Sequence, residues 1–105
     1  MKQYTDESQT AKLIELGFKK PKTCLGVGTK EEAGDLELGY IWAYSIGELL
    51  SFLPKEIECS SLQLYHAGLW SVSYPLHEDK YYVASSELCD ALFKMICYLK
   101  DKGVI

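Results

Sequence analysis

Three features of the sequence predict a single α+β domain spanning residues 1–105, with a small antiparallel sheet of three or four strands packed against two or three helices. "YSIGELLSFLP" (Tyr44 to Pro54) has helical apolar spacing, three runs between Leu62 and Ala84 alternate with period two, and "DALFKMICYLKDKGVI" (Asp90 to Ile105) returns to a helical stripe. A chain of 105 residues can bury a modest core without metals or disulfides as staples.

The first helix is expected to begin after Thr5, whose hydroxyl can cap it, with Asp6 and Glu7 complementing the positive pole. It should bury Leu13, Ile14 and Leu16 and stop at Gly17. Residues 19 to 39 have no sustained period and carry Gly26, Gly28, Gly34 and Gly39, which reads as a long irregular connection. In the second helix, Ser45 and Glu48 have capping-box spacing and Tyr44 can staple onto Leu49. Ile46, Leu49, Leu50 and Leu53 share a face, and Pro54 ends the helix.

"LQLYH" (Leu62 to His66), "LWSVSY" (Leu69 to Tyr74) and "KYYVA" (Lys80 to Ala84) form the expected meander. Ala67-Gly68 and "PLHED" (Pro75 to Asp79) separate the runs at hairpin-compatible lengths. Trp70, Val72 and Tyr74 share one face, opposite Ser71 and Ser73, so one side should pack on helices and the other stay wet. The run Leu38 to Trp42 would supply a fourth strand if it pairs. The last helix should start at Ser85 or Ser86 and end before Gly103, with Leu88, Leu92, Met95, Ile96 and Leu99 as its core stripe.

Composition excludes several functions. All eleven basic residues are lysines and the net charge is −4. Without arginine's planar fork or a large basic patch, direct nucleic-acid binding is not expected. Lys19, Lys20 and Lys22 around Pro21 read as a solvated loop, with phosphate contact the weaker alternative. No apolar run approaches the ~20 residues of a membrane span, and "MKQYTDESQT" has neither signal- nor transit-peptide character, so a cytoplasmic protein without membrane partners is expected.

Chemical motifs are scarce. "GVGTK" (Gly26 to Lys30) meets neither the Walker pattern nor the dinucleotide fingerprint and reads as a glycine turn. Cys89 and Cys97 lie eight positions apart on one helix, about 12 Å along its axis and about 80° around it, too far to share a disulfide or a zinc ion. Cys24 and Cys59 sit in separate loops, and no Cys-x-x-Cys occurs. His66 and His77 lack helical metal spacing. No catalytic residue, cofactor or metal site is assigned. Eight tyrosines, two tryptophans and three phenylalanines are the unusual richness. They serve either as core and half-buried sheet packing or as a protein-contact surface, for which Trp42, Tyr44, Trp70 and Tyr74 are the candidates.

"YSIGELLSFLP", "WSVSY" (Trp70 to Tyr74) and "DALFKMICYLKDKGVI" together resemble small proteins of gut Bacteroidales-type bacteria and their phages or mobile elements. That resemblance covers about the last two-thirds of the chain. It implies an α+β organisation, a mobile-element context and a packing role for Cys97, and carries over no catalytic or ligand residues. The functional expectation is a non-enzymatic module that binds a protein partner or itself. The alternative is a small enzyme or ligand-binding protein with a pocket beside the sheet, using Cys59 or His66.

Overall fold

The computed structural model describes residues 2–27, 40–77 and 80–105. In chain order the elements are α1 (Glu7–Glu15), β1 (Thr23–Val27), β2 (Tyr40–Ala43), α2 (Ile46–Phe52), β3 (Glu56–Ile57), β4 (Ser60–Ser61), β5 (Gln63–Ala67), β6 (Leu69–Ser73), a 3₁₀ turn (Pro75–His77), β7 (Tyr82–Ser85) and α3 (Leu88–Asp101). The fold is α+β, and among the described residues every pairing of named strands is antiparallel.

The meander forms as a three-stranded sheet in the order β5-β6-β7. The chain reverses between β5 and β6 at Gly68, whose φ of +78° suits glycine. Leu64, Val72 and Val83 stand opposite one another, as do Tyr65, Ser71 and Ala84. Because side chains alternate across a strand, the first set faces α3 and the second faces solvent. The fourth strand does not join this sheet. Tyr40–Ala43 pairs instead with Thr23–Val27, in a two-stranded ladder whose register shifts between Cys24 and Gly26. The expected irregular connection is thus corrected at its start, where residues 23–27 are a strand. Residues 28–39 lie outside the described residues, among them Gly28, Gly34, Gly39 and the rest of "GVGTK", and so do Glu78 and Asp79.

Helix α1 starts one residue later than expected. Asp6, not Thr5, is the N-cap: its carboxylate accepts from the Gln9 amide (2.8 Å) and the Gln9 side chain accepts from the Asp6 amide (3.1 Å). Two orphan donors are satisfied reciprocally, which Thr5 cannot match because Ser8 is its third neighbour. The helix closes in a Schellman motif, with Phe18 N–H on the Leu13 carbonyl, Gly17 N–H on the Ile14 carbonyl and Gly17 at φ +96°. Thr5 has another task. Thr10 Oγ1 donates to the Asp6 carbonyl (2.8 Å), so the Thr5 hydroxyl donates to Thr10 (2.7 Å), and the Thr5 oxygen accepts the Tyr44 amide (2.9 Å). This buried polar chain is satisfied at each step and fixes the segment before α1 against the start of α2.

Helix α2 follows its sequence signature. Ser45 and Glu48 form the capping box, Leu49 and Leu53 are buried with Ile46 and Leu50 partly so, and Leu53 before Pro54 is already extended. Helix α3 has the expected stripe but not the expected cap. Its N-cap is Glu87, which makes no side-chain cap bond; Ser85 belongs to β7. The Glu87 carboxylate accepts the Lys2 amide instead (2.9 Å). Leu88, Cys89, Ala91, Leu92, Met95, Ile96 and Leu99 are all buried, and α3 packs on α2, β6 and β7.

Lys2 also ties the start of the chain to α3 through its ammonium, which lies 2.7 Å from Asp90 Oδ1, 3.0 Å from Gln9 Oε1 and 3.4 Å from Asp6 Oδ2. Partial burial opposes ionisation of Asp90, but hydrogen bonds from Lys2 and Gln9 with the lysine charge outweigh it and hold the carboxyl below its ordinary range. A carboxylate with a depressed native pKa contributes stability above its unfolded pKa of about 3.9 and loses it as pH falls through the native value. Asp90→Asn is therefore expected to lower stability near neutrality by about 1 kcal/mol or less, since both partners remain partly wet. Urea unfolding from neutrality to below pH ~4 should show the difference shrinking toward zero as acid removes the wild-type advantage.

Candidate functional site

The four aromatic candidates fall into unlike places. Tyr44 and Tyr74 are fully buried, which corrects their expected surface role. The Tyr44 hydroxyl donates to the Lys19 carbonyl and its ring meets Phe52 edge-on at 5.4 Å. The Tyr74 hydroxyl donates to the Pro54 carbonyl (2.6 Å) and its ring meets Tyr81 edge-on at 6.1 Å. Each buries a large ring while its hydroxyl answers a backbone carbonyl, the usual condition for an interior tyrosine. Burial pushes both phenols up to about 12, with the Glu48 charge adding to the effect at Tyr44. Trp42 and Trp70 are partly buried; Trp70 lies on the core side of the sheet and stacks on His66 at 4.5 Å.

Among the described residues the exposed tyrosines are Tyr65 and Tyr82, on the other side of the same sheet. Register puts Gln63, Tyr65 and Ala67 of β5, Leu69, Ser71 and Ser73 of β6, and Tyr82 and Ala84 of β7 on this face, with Ser73 buried at its margin. Tyr65 is 65% exposed, Leu69 52% and Tyr82 49%. None of the eight positions carries a charge, although a quarter of the chain's residues are charged. Among the described residues the bordering strand β5 pairs only with β6, and it contains no lysine, proline or bulge, the devices that commonly blunt an edge. Alternation predicts this wet face, but only the register shows which tyrosines it holds.

Cys59 and His66, the residues of the alternative expectation, are not brought together: among the described residues no hydrogen bond or ring contact joins them. Cys59 is exposed at the apex of the β3-β4 hairpin, where Glu58 and Cys59 both have positive φ (+46° and +68°). His77 braces this turn, its Nε2 lying 3.1 Å from the Glu58 carbonyl oxygen and 3.5 Å from Glu58 Oε2. The depression beside Cys59, which also reaches Leu62 and Leu76, has a volume of about 240 Å³. That is below the ~300 Å³ at which ligand pockets begin. Among the described residues no group of three or more His, Cys, Asp or Glu side chains could hold a metal ion.

A larger cleft, of about 490 Å³, lies where the turn after α1 meets α2, lined by Gly17, Phe18, Lys19, Lys20, Lys22, Glu48, Ser51 and Phe52. Phe18 and Phe52 stack at 4.8 Å. Sequence reasoning singled out the lysines but had no local signal that Phe52, some thirty positions away, would meet them. Compared with known families, curated proteins and solved structures, the chain matches none.

Two outcomes follow from the buried hydroxyls and thiols. A phenol whose native pKa is raised keeps its stabilising contribution below the unfolded value and loses it as pH rises to the native one, a window of about 10 to 12. Alkaline titration followed by tyrosinate absorbance should show two tyrosines ionising only with unfolding, and Tyr44→Phe/Tyr74→Phe should remove that late step. Burial pushes the Cys89 thiol up to about 11 and raises that of half-buried Cys97, while Cys59 is exposed. In a Cys24→Ser background, native labelling should modify Cys59 first, Cys97 more slowly and Cys89 only on unfolding, as mass spectrometry would report.

Proposed function

We propose that the protein is a non-enzymatic association module acting through the solvent face of its β5-β6-β7 sheet. The observation that carries this reading is the uncharged face itself, with Tyr65, Leu69 and Tyr82 standing out from small neighbours. Interface cores are depleted in charge and enriched in tyrosine, and tyrosine supplies contact area at small entropic cost.

Size decides the strength of such a contact. Three strands at about 4.8 Å spacing and five residues at about 3.4 Å rise give a footprint of roughly 250 Å². A standard interface buries about 800 Å² per partner, so the face alone supports a transient association. A partner that also adds a strand to the β5 edge, which no other described strand pairs with, would extend it with backbone hydrogen bonds. A second copy suits either contact, because a twofold axis would set the uncharged face against itself, or the β5 edge against itself, without adding charge repulsion. Among the described residues no helix is long and apolar enough to cross a membrane. A cytoplasmic location and a mobile-element origin accompany this proposal and rest on the sequence alone.

Amide NMR spectra up to about 1 mM, where an association of about 4 kcal/mol half-saturates, test the proposal. Concentration-dependent shifts should cluster at Tyr65, Leu69 and Tyr82, and Tyr65→Lys/Tyr82→Lys should abolish them with folding intact. Spectra independent of concentration, with no protein partner whose binding that variant weakens, would sink it.

A further inference from the structure

We infer that the cleft between the end of α1 and α2 binds a small organic anion with a flat apolar body, of the aryl phosphate or aryl carboxylate class. This inference does not depend on the sheet face. The cleft's volume of about 490 Å³ falls within the ~300–1,000 Å³ of small-molecule sites. Its apolar wall is the stacked Phe18-Phe52 pair, both rings only partly buried, which offers a planar body a surface to lie against.

Charge identifies the other half of the ligand. Lys19, Lys20 and Lys22 line the cleft, all three residues are exposed, and among the described residues no carboxylate forms an ion pair with any of them. Acidic side chains outnumber lysines fifteen to eleven, so three cations on one rim with no carboxylate partner among the described residues run against the composition. A fourth, Lys100, stands 5.5 Å from the Phe18 ring centroid. The one carboxylate in the lining, Glu48, is turned to local donors: Oε1 accepts from Thr23 Oγ1 (3.0 Å) and the Ser45 amide (3.2 Å), and Oε2 from the Lys22 amide (3.1 Å). The α1 carbonyls of Leu13 and Ile14, whose partial charge would oppose an anion, are engaged by Phe18 and Gly17.

The rim is also held in place. The Lys19 carbonyl accepts the Tyr44 hydroxyl, the Lys22 amide is fixed on Glu48, and Pro21 between them is buried. Anchoring both ends of the lysine segment reduces the backbone ordering that binding would otherwise cost. Only the lysine side chains have to settle on the ligand.

Titration with 1-naphthyl phosphate, followed by calorimetry and amide NMR, tests the inference, with 1-naphthol and inorganic phosphate as the two half-ligands. Saturable binding is expected, with shifts at Phe18, Ser51 and Phe52, weakening as salt is added. Each half-ligand should bind at least about tenfold more weakly, and so should naphthyl phosphate to Lys19→Glu/Lys20→Glu/Lys22→Glu, while Lys80→Glu leaves binding unchanged. Ser51→Trp, which fills the cleft without altering charge, should block binding independently. No saturation, equal binding of 1-naphthol, or affinity indifferent to both cleft variants would overturn the site. Self-association abolished by the charge reversal, with no naphthyl phosphate bound, would also overturn it by assigning the lysines to the acidic surface of a second copy.

Discussion

The buried face of α3 is the constraint on which the other elements depend. Its seven buried side chains occupy an arc of about 160° at ~100° per residue, wide enough to meet α2 on one flank and the sheet on the other. Neither neighbour is self-sufficient. A helix of seven residues is far below the ~12–15 at which isolated helices become marginal, and a small sheet needs an apolar face covered to persist. Burying one large apolar side chain is worth about 1.5–3 kcal/mol. Leu88, Leu92, Met95, Ile96 and Leu99 together thus match the whole net stability of an ordinary domain, about 5–15 kcal/mol.

Legibility followed the range of the interactions involved. Ser45 and Glu48, three positions apart, announce the start of α2, and the stripe of α3 repeats within its own turns. Asp6 was equally readable, because Gln9 stands where a capping box requires it and Ser8 leaves Thr5 without that partner. The α3 cap was not, since Glu87 takes that place while answering Lys2, eighty-five positions away. β1 was hidden for a similar reason: "TCLGV" has weak alternation, and its partner β2 lies beyond residues 28–39. Tyr74 was drawn into the core by parity. Val72 and Tyr74 follow Trp70 on the heavier side of β6, and the heavier side is the one a core claims, which leaves the tyrosines opposite serines to face water.

The two candidate surfaces use opposite physics. The sheet face lacks charge, and contact there is governed by area and shape, with little sensitivity to salt. The α1-α2 cleft concentrates cations above an aromatic wall, where attraction reaches only about 8 Å at physiological ionic strength. Each is built largely from elements the other does not use, so occupancy of one can be varied by mutation while the other is left intact. An acidic protein bearing both would discourage indiscriminate polyanion contacts by its overall field while keeping one local point of attraction.

The β3-β4 hairpin bears on how much the sequence could still improve. Its two-residue turn holds positive φ at both Glu58 and Cys59, the backbone for which Asn-Gly is the preferred pair. Each non-glycine residue in that region carries a penalty of about 1–2 kcal/mol. The hairpin is consequently a reserve of unrealised thermal tolerance, available to protein engineering by local exchange at two exposed positions outside both candidate surfaces.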